Sequence, residues 1–115
     1  MKMDEVVRIL DAKVYAGKDL LDTEVFAACG SDLMSDVLAF VKDQALLLTG
    51  LVNIQAIRTA EMMDMKAIVF VRGKQPDEAM VQLAEQGGLI VLSTEHPLFI
   101  ACGLLYSNGL TGRAD

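Results

Sequence analysis

No apolar run in the sequence approaches the ~18 residues needed to cross a bilayer; the longest, such as Pro97 to Tyr106, stop near ten. The N-terminus turns acidic at once (Met1-Lys2-Met3-Asp4-Glu5) and lacks the apolar stretch of a signal peptide, so the expected location is the cytoplasm. Positive charge is also short: the net charge is −6 and the pI near 4.6, a balance that repels phosphate backbones and anionic lipid heads. Neither nucleic-acid binding nor a membrane-surface role is therefore expected. Cysteine is limited to Cys29 and Cys102, each in apolar surroundings and without a C-x-x-C signature, which reads as two buried reduced thiols. With His96 the only histidine, these spacings supply too few ligands for a metal site, and no cofactor is expected.

Aromatics make up only 5% of the chain and Trp is absent, yet 53% of residues are apolar and the mean hydropathy is +0.40. The apolar content is Leu, Val, Ile, Ala and seven Met. For a short chain this excess predicts strands buried on both faces and an oligomer interface, most simply a homodimer. The 115 residues fit one domain, large enough to bury roughly two thirds of its unfolded surface without disulfides or metal.

Along the chain, β-like runs alternate with amphipathic helical stretches. Met3 to Leu10 reads as a short helix, Ala12 to Ala16 as a strand and Gly17-Lys18-Asp19 as a turn. Glu24 to Cys29 is a second strand ended by Gly30, after which Ser31 is placed to cap a helix from Asp32 to about Lys42. From Ala45 a regular strand–helix unit appears, with strand starts near residues 45, 67 and 89. Its strands are Ala45 to Thr49, Ala67 to Val71 and Leu89 to Leu92; its helices run from about Asn53 to Asp64, Asp77 to Gln86, and Pro97 to about Tyr106. Pro76-Asp77-Glu78 is a helix start and Gly87-Gly88 a helix stop. Near-continuous apolar strands joined by helical crossovers predict an α/β fold of three layers, α/β/α, around a largely parallel sheet of about five strands. Residues 1–106 form the expected domain and 107–115 a flexible tail.

In such a sheet ligands bind beyond the carboxyl ends of the strands. The chain places Gly30, Ser31 and Asp32 after the second strand, and Thr49, Gly50 and Asn53 after the third. Arg72, Gly73 and Lys74 follow the fourth, and Ser93, Thr94, Glu95 and His96 the fifth. Free N–H groups at helix starts, with Arg72 and Lys74 nearby, would suit a small anionic ligand. The candidate binding residues are Ser31, Thr49, Gly50, Asn53, Arg72, Gly73, Lys74, Ser93, Thr94 and His96. Several of them are also ordinary caps and turns, as Ser31, Thr94, Gly50 and Gly73 would be in any such fold. Gly73-Lys74 is not a phosphate loop: Gln75-Pro76 follows it in place of Ser or Thr, and no glycine stands five residues before Gly73. His96 has no orienting partner or nucleophile assigned by sequence, so no catalytic residue is expected. Asp32 and Asp36, four apart, read as a capped, solvated helix start.

From about Ala45 to Leu105 the sequence resembles a DRTGG domain, which is similar in turn to the N-terminal domain of HPr kinase/phosphorylase. The residues that carry the resemblance are Leu47-Leu48-Thr49-Gly50, Arg58-Thr59-Ala60, Ile68 through Pro76, Leu83-Ala84-Glu85, Val91-Leu92-Ser93-Thr94 and the helix after Pro97. Two departures stand out. Leu51-Val52-Asn53 follows Gly50 where the family has an acidic–Arg pair, and Arg72-Gly73-Lys74 replaces a Thr-Gly-Gly type turn. With Asp32 to Asp36 ahead of the core, the chain is similar to small stand-alone DRTGG proteins found beside iron-only hydrogenase and sensor-kinase-like genes. The resemblance implies a non-catalytic regulatory or accessory module, binding a small anionic or nucleotide-like ligand. The rival expectation is a protein-interaction adaptor with no small-molecule ligand.

Overall fold

The computed structural model describes residues 1–40 and 45–112. Five strands form one sheet in the order β1-β5-β4-β3-β2. They are β1 (Lys13–Ala16), β2 (Ala27–Gly30), β3 (Ala45–Thr49), β4 (Ala67–Phe70) and β5 (Ile90–Ser93). β2 through β5 run parallel, and β1 closes one edge antiparallel to β5. The helices are α1 (Met3–Leu10), α2 (Met34–Phe40), α3 (Ile54–Met62), α4 (Glu78–Gly87) and α5 (Leu98–Ser107).

The layering follows from where the apolar side chains go. Every residue of β3, β4 and β5 is buried, because both sheet faces are covered. On one face Leu47, Ile68, Phe70 and Val91 pack with Met34 and Val37 of α2, Ile57 of α3 and Met80 of α4. On the other, Leu46, Leu48, Val69 and Leu92 meet Met3, Val6 and Leu10 of α1 and Ala101 and Leu105 of α5. This is the expected three-layer α/β/α architecture with a largely parallel sheet.

Helix ends are set by short polar side chains. Asn53 caps α3, its side chain accepting from the Ala56 N–H at 3.0 Å, and Asp77 caps α4 by accepting from Met80 at 2.9 Å. Gly88 ends α4 in the left-handed conformation, with φ of 70°.

Several boundaries differ from those read in the sequence. The second strand begins at Ala27, not Glu24, because residues 23–25 pair with the chain start: Met3 N–H donates to Thr23 C=O and Val25 N–H to Met1 C=O, each at 2.9 Å. The helix expected from Asp32 starts at Met34; Ser31 instead closes a local loop, its hydroxyl accepting from Leu33 N–H at 3.1 Å. The expected end of that helix, Lys42, lies outside the described residues. Of the tail expected to fray over 107–115, Ser107 ends α5, residues 108–112 are tied down, and residues 113–115 lie outside the described residues. Leu110 is buried in the α1/α5 core, and the Thr111 carbonyl accepts from Ala28 N–H of β2 at 2.9 Å.

Candidate functional site

Parallel strands deliver their exits to one rim, and four loops meet there. Residue register aligns Thr49, Phe70 and Ser93 across β3, β4 and β5. Strand alternation then puts the Thr49 and Ser93 side chains on the α2–α4 face, with Leu47 and Val91.

At the β3 exit, Asp32 reaches across from β2. Its Oδ1 accepts from the Gly50 N–H at 2.6 Å and from the Thr49 hydroxyl at 3.2 Å. Thr49 Oγ1 in turn accepts from Leu51 N–H at 3.1 Å. The Lys74 ammonium donates to the Gly50 carbonyl at 2.8 Å, and the Ser93 hydroxyl donates to the Lys74 carbonyl at 2.6 Å. One continuous polar network therefore joins the exits of β2, β3, β4 and β5 through Asp32, Thr49, Gly50, Lys74 and Ser93.

The β4 exit is a tight turn. Lys74 N–H donates to Val71 C=O at 3.3 Å, and both central residues are left-handed, Arg72 at φ 58° and Gly73 at φ 70°. Two positive φ angles inside a closed turn are the mark of type I′, which favours Gly and Asn in the position Arg72 holds. The turn is clipped to the β5 exit by Arg72 N–H to His96 C=O at 2.9 Å and Gly73 N–H to Thr94 C=O at 2.8 Å. Arg72 and Lys74 are both exposed on this rim.

The remaining candidates lie outside the network. The Thr94 hydroxyl turns to the opposite face, is buried, and donates to the Leu10 carbonyl of α1 at 2.7 Å. Asn53 is committed to the α3 cap, and Ser31 to its own loop. His96 is half-buried and meets the turn through its backbone carbonyl. Of the helix starts expected to offer free N–H groups, α3 has its Ala56 N–H taken by Asn53 and α4 its Met80 N–H by Asp77, and in the loops the N–H groups of Gly50, Arg72, Gly73 and Lys74 each have an internal acceptor. Asp32, read in the sequence as a solvated helix-start residue, is the group missed. Its partners are 17 and 18 residues away in sequence, and only β2–β3 pairing brings them together.

Both cysteines are free and half-buried. Burial, with Cys102 close by, pushes the Cys29 thiol from its ordinary 9.0 up to about 11, and burial also raises Cys102. Such thiols are poor nucleophiles. Among the described residues no cluster of three or more His, Cys, Asp or Glu is placed to hold a metal ion. None of the described helices is long and apolar enough to cross a membrane. A shallow cavity at the opposite, amino edge is lined by Glu61, Asp64, Lys66 and Gly88, among others.

No curated protein matches the chain. Among solved structures, the CBS and DRTGG domains of the regulatory region of the Clostridium perfringens pyrophosphatase, complexed with the activator diadenosine tetraphosphate, share the fold. The TM-score is 0.76 at 16% identity, over 90% of this chain and 45% of that one, so this chain spans less than half the length of that relative. Residues 5–104 match the DRTGG domain family. The match takes in all five strands, α2 to α4 and most of α5, and with it the chain belongs to the DRTGG domain family.

Proposed function

We propose that this DRTGG domain is a non-catalytic, homodimeric regulatory module of the cytoplasm that takes a small anionic or nucleotide-like ligand on the carboxyl rim of its sheet. The observation that carries the reading is the connected network from Asp32 to Ser93, with Arg72 and Lys74 exposed on it in a protein of net charge −6. Arg72 and Lys74 here offset the carboxylates of Asp32, on the Gly50 N–H, and of Glu95, beside Gly73, so on a strongly acidic molecule this rim repels an anion less than its surroundings and offers it two donors.

The network also suggests how binding becomes a signal. Asp32 already offers a carboxylate to the Gly50 N–H, while Lys74 rests on the Gly50 carbonyl. An incoming phosphate competes with Asp32 for that N–H and draws Lys74 toward itself. Releasing Asp32 frees the lead into α2, so occupancy at the rim reaches a surface helix. The pyrophosphatase regulatory region with its nucleotide activator supports nucleotides as the first compounds to try.

The test is thermal shift and calorimetry with diadenosine tetraphosphate, ATP, AMP and inorganic phosphate at fixed ionic strength. A binder present at 100 times its Kd stabilises the fold by about 2.7 kcal/mol, a readily measured rise in melting temperature. The rise is expected to vanish in Arg72→Ala/Lys74→Ala and to need less ligand in Asp32→Asn, where the competing charge is gone. If no compound shifts the wild-type protein, the ligand reading fails. The adaptor reading then takes its place, favoured by the apolar surface that α5 exposes.

A further inference from the structure

α5 has no charged residue and, apart from Ser107 at its end, is apolar on every side, a pattern proper to a buried helix. Yet only one side of it is buried. Ala101 and Leu105 face the core, while Phe99 is 85%, Tyr106 66% and Ile100 44% exposed. On a helical projection Tyr106, Phe99, Gly103, the exposed Ser107 and Ile100 fall on one continuous outward arc. A Cβ placed on Gly103 would meet nothing within 4 Å. The arc is therefore two large rings flanking an open gap.

From this geometry we infer that the outward face of α5 is the homodimer interface, with the two α5 helices crossing at Gly103. The inference rests on the homodimeric reading above and names its surface. Three observations select a second copy as the occupant. First, charge: the chain carries −6, but residues 97–112 contain no charged side chain. Two copies meeting on α5 therefore bring no side-chain charges of that segment together, despite the −6 that each carries. Second, shape: a large–small–large pattern of Phe99, Gly103 and Tyr106 is complementary to itself under a two-fold axis, each copy's rings lying beside the other's Gly103. Third, area: an aromatic side chain buries about 200 Å², so the exposed parts of four rings remove roughly 600 Å² from water. That is about half of the ~1,200 Å² at which specific interfaces begin, and Ile100 with the half-buried Cys102 and Leu104 flank it on both copies.

Light scattering coupled to size exclusion at about 100 μM tests this. The wild-type protein is expected at twice its 12.4 kDa chain mass. Gly103→Glu puts a charge at the crossing point; since the position is open and Glu is the better helix former, the fold is kept. That variant, and separately Phe99→Ser/Tyr106→Ser, should run at the mass of one chain with unchanged far-UV circular dichroism. A folded variant of either kind that remains dimeric overturns the α5 interface and leaves the homodimer standing. A wild-type protein at single-chain mass overturns both.

Discussion

Replacing Arg72 by Gly is expected to stabilise the protein while weakening its hold on an anion. Arg72 sits at φ 58° in the turn at the β4 exit. For an L-residue with a Cβ, that conformation costs about 1–2 kcal/mol. Glycine removes the clash but returns about 0.5–1 kcal/mol to the unfolded chain as backbone freedom. The side chain is exposed, so little packing is lost with it. The difference leaves Arg72→Gly more stable by about 0.5–1 kcal/mol, equivalent to a melting temperature about 2–4 °C higher for a domain of this size. Arg72→Ala keeps the Cβ and hence the strain, so its stability should stay within about 0.5 kcal/mol of wild type. Urea denaturation of the three proteins separates the backbone contribution from that of the guanidinium. A Gly variant less stable than both wild type and the Ala variant refutes the argument, because the turn would then not be bearing strain. A residue kept in an unfavourable conformation where glycine is at home is the pattern found where a side chain is retained for function.

Two further expectations concern residues near the rim that do not belong to it. Thr94→Val leaves the Leu10 carbonyl inside the α1 layer without its donor and should cost about 1–3 kcal/mol in urea titration, with anion binding by the folded protein unchanged; a loss of binding at full stability would instead place Thr94 in the site. Cys29 binds its proton more tightly in the folded protein than in the unfolded chain, since burial raises it from 9.0 to about 11. Its contribution to stability is thus complete below pH 9 and is lost as the pH rises through about 11. The stability difference between wild type and Cys29→Ala should shrink across that window, and a flat difference would contradict the burial. At pH 8 the folded thiol should also react with Ellman's reagent more slowly than the unfolded one.

Much of the fold was legible because the strands of the second half are continuous and apolar, and because Asn53, Asp77 and Gly88 are local signals that act where they stand. The same continuity hid the orientation of the rim. A strand that alternates polar and apolar residues announces its faces, but Ile90-Val91-Leu92 does not, so nothing local distinguishes Ser93 from Thr94. In the structure the two neighbours point to opposite layers, Ser93 into the network and Thr94 under α1. The free N–H groups expected at helix starts are met by local caps at Ala56 and Met80, while the loop N–H groups enter pairings that sequence proximity does not show, such as Gly73 with Thr94 across two strand exits.

At Gly50 as well, the partners come from distant loops. In sequence it is followed by Leu51 and Val52, where the family resemblance leads one to expect an acidic–arginine pair, and on that basis the surroundings of Gly50 look stripped of charge. In space they are not. Asp32 arrives from the exit of β2 onto the Gly50 N–H, and Lys74 arrives from the exit of β4 onto its carbonyl. The two peptide groups of one glycine are thus held by an acid and a base from different loops, which makes the position of each loop depend on the other. A pair supplied by consecutive residues moves as one piece and couples nothing. A pair supplied from β2 and β4 ties the lead into α2 to the Arg72 turn, and under the function proposed above a ligand that claims either partner would disturb both.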